Sequence, residues 1–463
     1  MSRLFVVSNR VAVPTADKPA AGGLAVALLG ALREHGGIWF GWSGKVGQTT
    51  DRQPQLTRQE NATFATIDLA EQDYQDFYAG YSNRSLWPLF HYRTDLTTFD
   101  RRYQAGYYRV NSHFAQTIAP LVEPDDMLWV HDYHLIPLGG ELRRQGLGQR
   151  MGFFLHIPFP APQILVALPD HQRLVRDLFG YDLVGFQTQS DVQALRDYVV
   201  EEAGGRVEAD GRLTAFGRTI TARAFPIGME VEPLLALVEN PEVQEHTRRM
   251  HKTLIGKRLL IGVDRLDYSK GLPQRLEGLE QLLDIYPEHQ GKVCLLQMAA
   301  ASRGDVPEYQ AIRRQLEMLS GRINGRFGTY DWVPIRYQNQ TVDRVTLVGL
   351  LRSAQVGLVT PLRDGMNLVA KEYVAAQDPK DPGVLILSRF AGAAGQFRDG
   401  ALIVNPYDAQ ALAEAIHQAL AMPLEERRSR WEKLMRVVKD YDIHWWRDSF
   451  IHDLEASQAP DKA

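Results

Sequence analysis

Short apolar runs alternating with amphipathic stretches constrain this chain more than any other feature. In the first half, residues 4–7, Met127–His131, 151–156 and 182–187 read as strands. In the second half, residues 258–263, 292–298, 356–360, Val384–Ser388 and 401–404 do. Helical patterns lie between them. Residues 273–286 carry Leu276, Leu279 and Leu283 on one stripe, with Pro287 as the stop. Ser190 is the expected N-cap of a second helix, which buries Val192, Leu195 and Val199 and ends at Gly204. Strands apolar on both sides need a sheet covered on both faces, so the pattern specifies parallel α/β units. Two doubly wound domains with a cleft between them account for 463 residues, with ligands gathering outside the carboxyl ends of the strands. The break is expected near residues 228–233, giving a first domain over 1–230 and a second over 231–440. Residues 441–463 then form a helix crossing back to the first domain, with His444, Trp445, Trp446, Phe450 and Ile451 as an aromatic packing face, and a polar, frayed tail.

Composition narrows the functional classes. A formal charge of −4 argues against general nucleic-acid binding. The single cysteine, Cys294, excludes an internal disulfide and a multi-cysteine zinc site, and its apolar neighbours Val293, Leu295 and Leu296 make it a buried structural thiol. The first ten residues turn polar too soon for a signal peptide, and no apolar run approaches the roughly 18 residues of a membrane span. A soluble, cytoplasmic protein is expected.

The stretch from Pro361 to Glu372, PLRDGMNLVAKE, follows the apolar run 356–360. Leu368, Val369, Tyr373 and Val374 then recur at helical spacing, giving a strand, a glycine-containing turn and a helix. Backbone N–H groups at such a helix start favour an anion. The carboxylates of Asp364 and Glu372, which flank the turn, accept hydrogen bonds from hydroxyls, and phosphate donors beside hydroxyl acceptors suit a sugar nucleotide. A second cluster, DRLDYSKG from Asp264 to Gly271, places Arg265 and Lys270 in one strand-to-helix loop, within reach of the same phosphate. Surface ion pairing with Asp264 and Asp267 is the competing account. Arg303, after strand 292–298, is a further anion ligand.

Near the N-terminus Arg10 leaves the first strand, and Gly22 and Gly23 let a backbone approach a phosphate without a Cβ in the way. They lack the spacing of a dinucleotide fingerprint or a P-loop. Asp132 and His156 stand at strand ends, aimed at substrate hydroxyls, or else serve as a capping Asp and a satisfied core His. The histidines 131, 134 and 156 come without a metal-ligand motif, so no metal is expected. Tyr78 and Trp87 fall in a stretch without clear periodicity, where aromatics bound a sugar or simply pack locally.

Together these segments resemble the trehalose-6-phosphate synthase family, retaining glycosyltransferases with two facing Rossmann-like domains, the GT-B arrangement. The likeness rests on VSNR at 7–10, GGL at 22–24, WFGWSG at 39–44, WVHDYH at 129–134, FLHIPFP at 154–160, RLDYSKG at 265–271 and the stretch around Asp364, in that order. It implies glucose transfer from a nucleoside diphosphate glucose, with uridine as the default base, to glucose 6-phosphate, giving α,α-trehalose 6-phosphate. It also implies that Gly22, Gly23, Arg265 and Lys270 serve the donor diphosphate, that Leu368 and Val369 offer backbone contacts, and that Glu372 binds the ribose. Val342 is a further backbone contact, at a position where relatives often carry an aromatic. Asp364 and His156 correspond to groups holding the donor glucose, and Arg10, Tyr78, Trp87, Asp132 and Arg303 to the acceptor site, with Arg10 and Arg303 on the 6-phosphate. The catalytic set so implied is Asp132, His156, Arg265, Lys270 and Asp364. No cofactor or metal is implied, nor a nucleic-acid or membrane partner, and the family leaves room for a homodimer or homotetramer.

No carboxylate is evidently placed as a covalent nucleophile, so the resemblance favours front-face attack with the leaving phosphate taking the acceptor proton. Cations on the diphosphate and closure over the substrates would serve that chemistry. A transferase using another phosphorylated acceptor, such as glycerol 3-phosphate, a pseudo-sugar coupling enzyme and a non-catalytic sugar-phosphate sensor are the competing functions. Retention of both halves of the residue set argues against each.

Overall fold

Ten strands among the described residues of the first half join one sheet: β1 (Leu4–Arg10), β2 (Gly37–Gly47), β3 (Gln55–Gln59), β4 (Ala62–Ala70), β5 (Met127–His131), β6 (Met151–Phe154), β7 (Leu183–Phe186), β8 (Arg206–Val207), β9 (Leu213–Ala215) and β10 (Arg218–Ala224). Their order is β3-β4-β2-β1-β5-β6-β7-β10-β9-β8. From β4 to β10 all pairings are parallel, and antiparallel strands finish both edges. The central strands are buried over their apolar runs, as parallel strands covered on both faces must be. Strand order reverses at β1, so the loops after β1 and β5 flank a topological switch point, where open α/β sheets place ligands.

In this computed structural model, residues 3–11, 13–14, 28–32, 36–51, 53–254, 256–301 and 307–457 are described. The chain divides into two units, Met1–Pro226 with His444–Ala463, and Ile227–Ile443. The second unit carries β11 (Arg258–Arg265), β12 (Val293–Ala300), β13 (Ile335–Gln338), β14 (Val356–Val359), β15 (Val384–Ser388) and β16 (Leu402–Val404). All are parallel, in the order β13-β12-β11-β14-β15-β16. Numbered within the unit this is 3-2-1-4-5-6, the Rossmann order, with its switch point between β11 and β14. Helices Leu272–Ile285 and Ala409–Ala421 pack on each other, and Gly278 makes this close approach possible: a Cβ there would lie 2.4 Å from Leu412 Cδ2. Cys294 is buried on β12, which pushes its thiol pKa up. No helix among the described residues is long and apolar enough to cross a membrane.

Helix Ile443–Ala456 packs on the first unit's sheet through its aromatic face. Phe450 stacks on Trp129 with centroids 4.6 Å apart, and Trp446 lies 5.0 Å from Trp129 and 5.1 Å from Phe154. Glycines on β6 and β7 make room for Phe450: a Cβ on Gly152 or Gly185 would come within 2.7 Å of its ring. The packing of the tail therefore depends on what two interior strands omit.

Several local expectations are corrected. The helix expected to begin at Ser190 is capped by Thr188 instead, in a reciprocal capping box. Thr188 Oγ1 accepts the Asp191 N–H at 3.2 Å, and Asp191 Oδ2 accepts the Thr188 N–H at 3.0 Å. Arg10 and Arg265 are the last residues of β1 and β11, so neither has yet left its strand. The stretch holding Tyr78 and Trp87 is helical, not a loop: a π-helix covers Tyr74–Leu86 and an α-helix follows over Trp87–Phe90. Hydrogen bonds that skip five residues widen the turn, so side chains there do not repeat at the α-helical period.

Candidate active site

At the second unit's switch point, the loops after β11 and β14 are joined by a backbone bond, in which Leu362 N donates to Ser269 O at 2.7 Å, and by an ion pair. Lys270, almost fully buried, donates from Nζ to Asp364 Oδ2 at 2.5 Å. The same carboxylate oxygen accepts the Asn367 side-chain N–H at 3.0 Å. Asp264 and Asp267, the carboxylates expected to compete for Lys270, are engaged elsewhere. Asp264 pairs at 2.9 Å with the fully buried Arg275, whose guanidinium also donates to Thr360 Oγ1 and Gln297 Oε1 at 3.0 Å. Burial pushes the Asp264 pKa up, against the opposing pull of Arg275 and Lys270. Asp267 accepts the Ser269 N–H and the Tyr309 hydroxyl, both at 2.9 Å. Side chains buried beneath the loops thus fix β11, β12 and β14 together, and Arg265 stands exposed at the end of β11.

Gly271 must be glycine. Its φ is +63°, and a Cβ would lie 2.2 Å from the Thr360 carbonyl oxygen. The Asp364 turn is held from its other side by the loop after β15. Asp364 N donates to Phe390 O, Gly392 N to Asp364 O and Ala393 N to Met366 O, at 3.0–3.1 Å.

Helix Leu368–Ala376 starts at Asn367, which adopts φ +79° and accepts the Ala370 N–H at 3.3 Å through its side chain. Leu368 and Val369 supply the first two N–H groups of the helix, which no preceding turn can bond. Both residues are half-exposed. Glu372, one turn on, is half-buried; burial pushes its pKa up, and nearby Arg344 opposes the shift. Val342 lies half-exposed in the loop before helix Arg344–Ser353.

In the first unit, aromatic and cation–π contacts bring three of the expected acceptor residues, Arg10, Tyr78 and Trp87, into one network. Arg10 sits 5.9 Å from the Trp42 ring centroid and directly over Gly44, where a Cβ would come within 2.5 Å of its Nε. Trp42 lies 5.7 Å from Tyr78, Tyr78 stacks on His134 at 5.8 Å, His134 lies 3.9 Å from Tyr133, and Tyr133 lies 5.7 Å from Trp87. Asp132, between β5 and Tyr133, has φ +77°, an unusual conformation for a residue with a Cβ. Its Oδ1 accepts the His156 N–H at 3.2 Å.

The His156 ring pairs with His131, Nε2 to Nδ1, at 3.2 Å, and Trp446 lies 6.0 Å from it. Burial lowers both pKa values, that of His156 to about 3, and His131 falls further from its neighbour's repulsion. Both rings are therefore neutral near pH 7, able to donate one hydrogen bond and accept one. Gly22, Gly23 and Arg303 lie outside the described residues. The cluster of metal-ligating type found among the described residues is Glu288, His289 and His417, which includes none of the histidines 131, 134 and 156.

Sequence reasoning gave no role to Asn367, Arg275 or Trp42, and weighed His131 and His134 only as metal ligands. Asn before an apolar helical run is an N-cap signal and was there to be read. The others owe their place to contacts between distant segments.

The N–H groups at the start of helix Leu368–Ala376, close to Lys270, suit an anion, and the aromatic and polar side chains gathered in the first unit suit a hydroxylated ring. The sequence matches Glycosyltransferase family 20 over residues 4–456. It is 50% identical to the trehalose-6-phosphate synthase of Cronobacter sakazakii over 455 residues, 98% of this chain and 95% of that one. Among solved structures, an α,α-trehalose-phosphate synthase (UDP-forming) from Burkholderia xenovorans in complex with glucose-6-phosphate is similar at TM-score 0.93 and 50% identity, covering 98% of this chain and 100% of that one. The E. coli protein bound with UDP-2-fluoro glucose is similar at TM-score 0.94 and 48% identity, covering 98% and 99%. The chain belongs to glycosyltransferase family 20.

Proposed function

We propose that this enzyme transfers glucose from UDP-glucose to glucose 6-phosphate with retention, forming α,α-trehalose 6-phosphate and UDP. The observation that carries the reading is the Lys270–Asp364 pair at a Rossmann switch point beside a capped helix start, in a chain related over nearly its whole length to a UDP-forming relative solved with glucose-6-phosphate.

Arg265 and Lys270 neutralise the leaving diphosphate, the N–H groups of Leu368 and Val369 bind a phosphate, and Glu372 takes the ribose hydroxyls. Gly22, Gly23 and the Val342 backbone complete the donor contacts. Asp364 and neutral His156 hold the donor glucose. Arg10, Tyr78, Trp87, Asp132 and Arg303 hold the acceptor, with the two arginines on its phosphate. Before reaction Lys270 is occupied by Asp364. A bound diphosphate shares that ammonium, and charge building on the leaving oxygen strengthens the new contact as the glycosidic bond breaks. The acceptor hydroxyl attacks from the same face, and its proton passes to the departing phosphate. In this account the cations come from side chains, so the rate survives a chelator. The protein acts in the cytoplasm as a homodimer or homotetramer.

Mixing enzyme with UDP-glucose and each of glucose 6-phosphate and glycerol 3-phosphate, and following UDP release, tests the reading. Release with glucose 6-phosphate alone supports it; release with neither acceptor while both substrates bind would make the chain a sensor.

A further inference from the structure

Lys371 is fully buried, and the chemistry above makes no use of it. It lies in the first two turns of helix Leu368–Ala376, immediately before Glu372, and its Nζ donates to the Ile227 carbonyl at 2.9 Å. Ile227 is the first residue of the second unit. Backbone contacts hold that segment in place. Ile443 N donates to Met229 O at 3.1 Å, and a Cβ on Gly228 would lie 2.2 Å from the Asp442 carbonyl carbon. The chain therefore enters the second unit (227–229) and leaves it (441–443) through two strips of backbone in contact, and Lys371 bonds to one of them. Asp442 is the carboxylate acting on the ammonium; burial lowers the lysine pKa to about 7, and Asp442 works against that.

A buried amine is costly where an apolar side chain of similar length would fill the same space. Its return here is a directional bond from the helix to a fixed carbonyl, which sets both the rotation and the axial position of the first turn.

We infer that Lys371 is a positioning residue for the donor site, fixing the Leu368 and Val369 N–H groups and the Glu372 carboxylate against the entry segment at Ile227. This rests on the reading of that helix as the nucleotide-sugar site. The test compares Lys371→Met, which keeps length without a donor, and Lys371→Gln, which keeps an N–H, with the parent enzyme in steady-state kinetics and thermal melts. Lys371→Met is expected to raise the KM for UDP-glucose about tenfold, with the glucose 6-phosphate KM within about twofold, and Lys371→Gln to recover part of the loss. A folded Lys371→Met with unchanged donor KM, or with both KM values raised alike, would overturn the inference. Hydrogen exchange on the parent enzyme keeps the test open if the variants do not fold. UDP is expected to slow exchange at 227–229 together with 368–376, and protection confined to the helix would count against the coupling. Arg265→Ala serves as the control: if it too leaves donor affinity unchanged, the donor-site reading has failed rather than the role of Lys371.

Discussion

Lys270 and Asp364, 94 residues apart in sequence, share a 2.5 Å ion pair that ties the loop after β11 to the loop after β14. An ammonium already paired is held in place before any substrate arrives, so little reorganisation is needed when charge develops on a leaving phosphate. Lys270→Ala should lower kcat by about 10²–10³. Single-turnover rates at saturating donor read this directly; a fall in donor affinity alone, with kcat intact, would assign Lys270 to binding only.

Asp132 offers a separation of stability from activity. Its φ of +77° is strained for a residue with a Cβ, and glycine adopts it freely. Asp132→Gly relieves that strain but loses the bond to the His156 N–H, so stability should change by no more than about 1 kcal/mol while glucose 6-phosphate turnover falls by at least about tenfold. Thermal melts beside acceptor titrations check both halves.

Trp446 is fully buried among Trp129, Phe154, His131 and His156. Trp446→Ala should destabilise the protein by about 3–5 kcal/mol in urea unfolding, the usual cost of an aromatic-sized cavity. A loss below about 1 kcal/mol would mean that the C-terminal helix contributes little to the core.

The Lys371 pKa predicts a pH dependence of stability. In the folded protein it lies near 7, below its unfolded value, so between the two the unfolded chain binds the extra proton. Stability from this group is therefore present at high pH and lost as pH falls toward 7. From pH 7 to 9 the parent should gain up to about 1.4 kcal/mol per unit relative to Lys371→Met. Parallel slopes in the two proteins would contradict the burial of a titrating amine.

Much of this molecule is legible in the chain because parallel strands announce themselves. The runs at 127–131 and 384–388 coincide with β5 and β15, while the runs at 4–7, 151–156, 182–187, 258–263, 292–298, 356–360 and 401–404 match strands that begin or end a residue or more away. Burial on both faces leaves an unbroken apolar signal. Edge strands β3 and β8 are exposed and hold only single apolar residues, Leu56 and Val207, so no such signal marks them. The π-helix around Tyr78 defeats a search at the α-helical period. The site divides in the same way. Arg265, Lys270, Asp364 and Glu372 are readable because each stands near a strand–turn–helix junction. That Lys270 pairs with Asp364 rather than Asp264 depends on Arg275 claiming Asp264 from a helix, which no local pattern announces.

The most direct measurement is the product formed from UDP-glucose and glucose 6-phosphate, identified by NMR, in the parent and in Arg265→Ala. The account predicts an α,α-linked trehalose phosphate, one UDP released per product, and a rate lower by about a hundredfold or more in the variant. Free glucose in place of the disaccharide, or a variant as fast as the parent, would contradict it.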